Sequence, residues 1–137
     1  MKVLFFCAEH SAYTLMAAGL ARHRFGRRAV ITNAVPSGAR PNTHAIRAMA
    51  ELGIDITGDT STTIQEIDMA EFDFVITICA EETCQCAVES SGNLHWCIDG
   101  PPSDNASLNP VEMRKRFGRI RDVIHARLAS FQADHLK

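Results

Sequence analysis

Short apolar runs alternate with stretches of helical periodicity along this chain. Four of these runs predict buried strands, at residues 3–6, 29–34, 74–78 and 94–98. Between the first two runs, residues 14–23 predict a helix, with an inner face formed by Leu15, Ala18, Gly19 and Leu20. Strands that alternate with helices are typical of an α/β fold, here a three-layer α/β/α arrangement around a four-stranded parallel sheet.

Two further helices follow from periodicity and from residues typical of helix ends. Pro41 and Asn42 open the first, whose apolar face comprises Ala45, Ile46, Met49 and Leu52 and which Gly53 ends in the left-handed conformation. The second begins at the capping residue Asn109, with Pro110 in its first turn and apolar positions at Met113, Phe117, Ile120, Ile124, Leu128 and Phe131. A shorter helix is predicted after Ser61 or Thr62, containing Ile64 and Ile67.

Length, charge and cysteine content narrow the class of protein. A chain of 137 residues predicts one domain, residues 1–137. The net charge of −2 gives no argument for binding to nucleic acid or a membrane, and no apolar stretch reaches the ~18 residues that span a bilayer. Five cysteines are an odd number for a disulfide framework, so we expect a reducing compartment, the cytoplasm.

Residues with reactive side chains follow the predicted strands. Cys7 comes directly after the first strand, where the free amides of a helix start would favour its thiolate. An anion-binding turn is predicted to follow it, formed by Ala8, Glu9, His10, Ser11, Ala12, Tyr13 and Thr14. Cys79 and Asp99 follow two other strands. Because the carboxyl ends of parallel strands meet at one edge of a sheet, we expect one site there.

Several segments together resemble the low-molecular-weight protein tyrosine phosphatase family, and more closely its thioredoxin-coupled arsenate reductase branch. They are residues 3–7 with Ser11 and the pair Met16-Ala17, residues 41–56, residues 74–79, Cys86, and His95-Trp96 before Ile98-Asp99. The resemblance covers essentially the whole chain and implies a phosphotyrosine phosphatase I-like (flavodoxin-like) fold.

The resemblance also implies roles for individual residues. Cys7 corresponds to the nucleophile and Ser11 to the hydroxyl that stabilises its thiolate by a hydrogen bond. Cys79 and Cys86 correspond to the thiols that relay oxidising equivalents away from the nucleophile. The implied ligand is a small oxyanion or metalloid, the implied partner is a thioredoxin-type reductant, and no cofactor is required.

Two departures from the family pattern affect the oxyanion chemistry. Tyr13 stands where the family has the arginine that grips the oxyanion, and Gly100 where it has the general-acid aspartate, so that Asp99 is the nearest replacement. Losing an electrostatic donor of this kind commonly costs ~3–4 kcal/mol of transition-state stabilisation. Tyrosine phosphatase activity is therefore not expected, and a divergent arsenate reductase-like protein is the preferred interpretation.

Two alternatives remain open from the sequence. One is a non-catalytic binding module derived from a phosphatase. The other is a soft-metal or metalloid site, to which Cys84, Cys86 and Cys97 would contribute thiolates. For Tyr13 itself two roles are equally compatible with the sequence: contact with the thiol, or filling the space that the arginine would occupy.

Overall fold

The computed structural model describes residues 1–6, 11–35, 43–59, 62–80, 93–98 and 110–135. The strands are β1 (Lys2–Phe6), β2 (Val30–Val35), β3 (Thr62–Thr63), β4 (Phe74–Ala80) and β5 (Asn93–Ile98). The helices are α1 (Ser11–Phe25), α2 (Thr43–Ala50) and α3 (Pro110–His135). Short 3₁₀ turns lie at Gly26–Arg28, Ile64–Glu66 and Met69–Glu71.

The strands form one parallel sheet in the order β3-β2-β1-β4-β5. The four predicted strands are confirmed, and β1 and β4 lie at its centre, where strands are buried on both faces. The two-residue β3 extends the edge beside β2. It replaces the short helix predicted after Ser61 or Thr62, of which only the 3₁₀ turn Ile64–Glu66 remains.

The order of the strands determines which face of the sheet each connection covers. The crossovers through α1 and α2 run in the same direction across the sheet, so right-handed connections place both helices on one face. There α3 packs against both of them. The connection from β3 to β4 runs in the opposite direction and therefore lies on the other face. The result is the predicted three-layer α/β fold.

The apolar positions predicted for α3 form its buried side. Phe117, Ile120, Ile124, Leu128 and Phe131 are all buried, whereas Met113 is partly exposed. The ring of Phe131 lies 5.9 Å from that of Phe25 in α1 and 5.0 Å from that of Phe74 in β4, measured between centroids. These contacts fix α3 to the core through its apolar stripe.

The end of α2 differs in one residue from the prediction. Gly53 has a φ of +75°, and the amides of Gly53 and Ile54 donate to the carbonyls of Ala50 (2.9 Å) and Met49 (3.1 Å), which is the Schellman arrangement. The chain reverses there, so Leu52, predicted on the apolar face, is 43% exposed and that prediction is wrong. Ile54 and Ile56 then pack beneath α1, where Gly19 leaves the space for them.

Arg121 joins α3 to the end of α2 from an almost fully buried position. Its Nη1 donates to the carbonyl of Ala48 and to Oε2 of Glu51, both at 2.8 Å, and its Nε donates to Asp122 at 2.9 Å. Glu51 also accepts a hydrogen bond from Nε of the exposed Arg114. The bonds from Arg121 and then Arg114 hold the pKa of Glu51 below its ordinary value. The stabilisation from this carboxylate is thus present above its unfolded-state pKa and is lost as the pH falls through the lowered value.

We expect Arg121→Ala to lower the free energy of unfolding by about 2–4 kcal/mol, because it removes a buried donor from three acceptors. Arg114→Ala is the matched control. It removes an exposed partner of the same carboxylate and should cost less than about 1 kcal/mol. Urea denaturation of both variants tests this difference, and equal losses would contradict the structural role of Arg121.

Candidate functional site

The predicted site residues belong to segments that leave neighbouring strands at one edge of the sheet. β1 ends at Phe6 and α1 begins at Ser11, so residues 7–10, which include Cys7, connect the two elements. Phe6 is in register with Thr77 of β4, two residues before Cys79. Cys79 is in turn in register with Cys97 of β5, the last strand before Asp99. The sheet therefore brings together the three strand ends from which a shared site was predicted.

Most of the predicted chemical groups lie outside the described part of the chain. Among the site residues these are Cys7, Ala8, Glu9, His10, Cys84, Cys86, Asp99 and Gly100, and the same holds for the side chains of Ser11, Ala12, Cys79 and Cys97. Their proposed roles as nucleophile, thiolate donor, relay thiols, acid and metal ligands stay predictions.

Tyr13 and Thr14 are placed differently from the prediction. Both were assigned to the anion-binding turn, but α1 begins three residues earlier than predicted and includes them in its first turn. Both side chains are fully buried, and Tyr13 is among the largest buried side chains in the core. The Tyr13 ring thus packs in the interior of the protein, which is compatible with the second of the two roles left open by the sequence.

Asn33 is a polar residue near this edge that the sequence analysis did not identify. It is almost fully buried in β2, in register with Phe5 of β1, and its Oδ1 accepts no hydrogen bond from the described residues. A buried acceptor of this kind is costly unless a donor reaches it. The available signal was an amide side chain inside the predicted strand at residues 29–34, in which Thr32 is the other polar residue.

Within the described residues, no group of three or more His, Cys, Asp or Glu side chains is placed to hold a metal ion. The cysteines proposed as soft-metal ligands lie outside that part of the chain or have undescribed side chains. The metal interpretation therefore gains no support from the geometry. A search of the described helices finds none with the length and apolar character to cross a membrane.

Comparison with known proteins gives a consistent result. The family model of low molecular weight phosphotyrosine protein phosphatases matches residues 2–136. An arsenate reductase of Halalkalibacterium halodurans is 32% identical over 133 residues, which cover 95% of this chain and 94% of the relative.

Two solved structures share the fold. An arsenate reductase in the oxidized state superposes with a TM-score of 0.76 at 24% identity, over 97% of each chain. A thioredoxin-dependent arsenate reductase of Corynebacterium glutamicum has a TM-score of 0.67 at 18% identity, covering 98% of this chain and 63% of that one. At these identities the structures establish likeness of fold alone.

Proposed function

This chain belongs to the low-molecular-weight phosphotyrosine protein phosphatase family, and on that premise we propose that it is a divergent arsenate reductase-like protein. Cys7 is the primary thiol in this proposal, and Cys79 and Cys86 are the relay thiols. Ser11 donates a hydrogen bond that stabilises the Cys7 thiolate.

The observation that carries the proposal is the similarity to an arsenate reductase over nearly the whole of both chains. The arrangement of strands is compatible with it. Cys7 follows β1, and Cys79 is the second-to-last residue of the neighbouring β4, so that the two cysteines lie at the ends of adjacent strands. Gly100 stands in place of the general acid that phosphate ester hydrolysis needs, which argues against phosphatase activity, whereas Tyr13 stands in place of the arginine that would grip either oxyanion.

The proposed reaction is a two-electron reduction. The Cys7 thiolate attacks arsenate and displaces an oxygen as water, and attack of the Cys79 thiol on the Cys7 sulfur leaves the electron pair on arsenic, releasing arsenite. Cys86 then displaces Cys7 from the resulting disulfide. The net change converts arsenate and two thiols into arsenite, water and a Cys79–Cys86 disulfide.

Turnover requires an external dithiol to reduce that disulfide. A thioredoxin-type reductant supplies two electrons by thiol–disulfide exchange, and it operates in a reducing cytoplasm. No metal or organic cofactor has a role in these steps, since both electrons come from cysteine sulfur.

Disulfide mapping after a single turnover tests the proposal. Reduced protein is mixed with arsenate without a reductant, alkylated and digested, and we expect a Cys79–Cys86 disulfide by peptide mass mapping. Addition of thioredoxin, its reductase and NADPH should then give continuous arsenite formation. Absence of both the disulfide and arsenite would contradict the enzyme and favour a non-catalytic binding module. A control incubated with phosphate in place of arsenate should remain reduced.

A further inference from the structure

Charged residues are unevenly distributed between the layers of this protein. Most of its Lys and Arg residues lie in α1, the 3₁₀ turn that follows it, α2 and α3. By contrast, residues 55–73 contain several Asp and Glu residues and no Lys or Arg. Because α1, α2 and α3 cover the same face of the sheet, that face is basic although the whole chain carries a net charge of −2.

A groove of about 500 Å³ lies on this basic face, between the end of α2 and the first half of α3. Its lining includes Glu51 from the end of α2 and, from α3, Arg114, Lys115, Gly118, Arg119 and Arg121. Neither helix contributes a residue to the proposed arsenate site. The groove is therefore a separate feature of the surface.

Cationic hydrogen-bond donors surround this groove, and two of them are held in place. Arg121 uses Nε and Nη1 on Asp122, Ala48 and Glu51, and its Nη2 lies 3.8 Å from the position of a Cβ built on Gly118. Arg114 binds Glu51 through Nε. Nη2 of Arg121 and the two Nη groups of Arg114 are not used by the described residues, and such guanidinium donors form charge-assisted hydrogen bonds with carboxylates.

The rim of the groove carries cations without partners. Lys115 and Arg119 are exposed and form no hydrogen bond or ion pair within the described chain. At the start of the groove Val111 exposes 62% of its surface, which adds an apolar contact. Unpaired cations beside an exposed apolar side chain match a ligand that is acidic and partly apolar.

The length of the groove fits an extended peptide better than a single small anion. From Arg114 to Arg121 the rise of the helix covers ~10 Å, which an extended chain spans with about three residues. A nucleic acid fits less well, because the groove has four cationic side chains and Arg114 and Arg121 already pair with Glu51. Glu51 and Asp122 in the lining would also repel a dense polyanion.

We propose that this groove, lined by Arg114, Lys115, Gly118, Arg119 and Arg121, is a docking site for an acidic peptide segment of a partner protein. Carboxylates of the segment bind Arg114 and Arg121 and approach Lys115 and Arg119 at the rim. An apolar residue of the segment contacts Val111.

Fluorescence anisotropy with a labelled peptide tests this site directly. The probe is about eight residues of alternating glutamate and valine, and its glutamine counterpart is the negative control. We expect saturable binding of the glutamate peptide that weakens as salt rises from about 0.05 to 0.2 M. Lys115→Glu combined with Arg119→Glu should weaken it about 10–100-fold. Since both side chains are exposed, the thermal midpoint serves as a check that the variant is folded.

Two further variants distinguish peptide binding in the groove from general electrostatic attraction to the basic face. Arg27→Glu combined with Arg127→Glu makes the same change in net charge away from the groove and should alter the dissociation constant by less than about twofold. Gly118→Leu leaves the charge unchanged but fills the space beside Nη2 of Arg121, and we expect about tenfold weaker binding.

Four results would overturn the proposal: no saturable binding of the glutamate peptide, equal weakening by the two charge-reversed pairs, tighter binding of an oligonucleotide of the same charge, or self-association through the groove that the peptide does not displace. The assay uses neither arsenate nor the cysteines. Its outcome is therefore independent of the proposed reductase activity.

Discussion

Cys7→Ser is expected to reduce thioredoxin-linked arsenite formation at least about 10³-fold, to the background of the assay. A thiol has a pKa near 8.5 and ionises further beside a helix N-terminus, whereas a serine hydroxyl stays protonated at neutral pH. An oxygen at this position also cannot enter a disulfide, so even a slow attack on arsenate would not lead to release of arsenite. The measurement is NADPH consumption coupled through thioredoxin, with arsenite determined separately.

A loss of activity in Cys7→Ser is informative about the reaction only if the variant is folded. Cys7→Ser changes one atom, and we expect its thermal midpoint to match that of the parent protein within a few degrees. Cys7→Ala should be equally inactive, because the requirement is for sulfur and not for a polar atom. Retention of a tenth or more of the parent rate by either folded variant would show that another thiol begins the reaction.

The sequence predicted best those segments in which the apolar residues are also the buried residues. Four of the five residues from Phe74 to Ile78 are apolar, as is typical of an interior strand of a parallel sheet, and Ile76 and Ile78 are buried there. Phe117 to Phe131 repeat at helical spacing along the side of α3 that contacts the core. In these segments local preference and tertiary packing favour the same structure.

Predictions failed where hydrophobic periodicity alone did not determine the outcome. Leu52 continues the apolar spacing of α2, but the left-handed Gly53 ends the helix and turns Leu52 outward. Thr62 and Thr63 form a strand only because the edge of β2 is available for pairing. Neither a helix-ending reversal nor an edge partner is visible in hydrophobic periodicity.

The edge of the sheet where the site is predicted could be located from the sequence, but the contacts of its residues could not. The strand ends meet because parallel strands order the chain that way, and a sequence pattern is enough to locate that edge. The placement of Tyr13 depended instead on where α1 begins and on which side of its first turn faces the core. Asn33 was not predicted from the sequence, because the surrounding structure decides whether its side-chain oxygen accepts a hydrogen bond.

Tyr13→Arg, which restores the family residue, is expected to destabilise the protein by about 3–5 kcal/mol when no oxyanion is bound. Tyr13 is fully buried in the apolar core, so an arginine in its place would bury a charged guanidinium unless the helix start rearranged. Tyr13→Phe is the matched control, since it keeps the ring and removes one hydroxyl. It should cost no more than about 1.5 kcal/mol.

Measuring the stability of Tyr13→Arg with and without phosphate distinguishes a destabilised core from a restored anion-binding site. If the new guanidinium grips an oxyanion in the turn, phosphate at about 100 times its dissociation constant should return about 2.7 kcal/mol to Tyr13→Arg and little to Tyr13→Phe. Urea denaturation of both variants with and without phosphate measures this. A Tyr13→Arg protein as stable as the parent without phosphate would mean that the position tolerates a charge, and that the tyrosine does not serve to fill the core. A destabilised Tyr13→Arg variant that phosphate stabilises would show instead that a residue packed in the core has replaced the anion-binding arginine of the family at this one position.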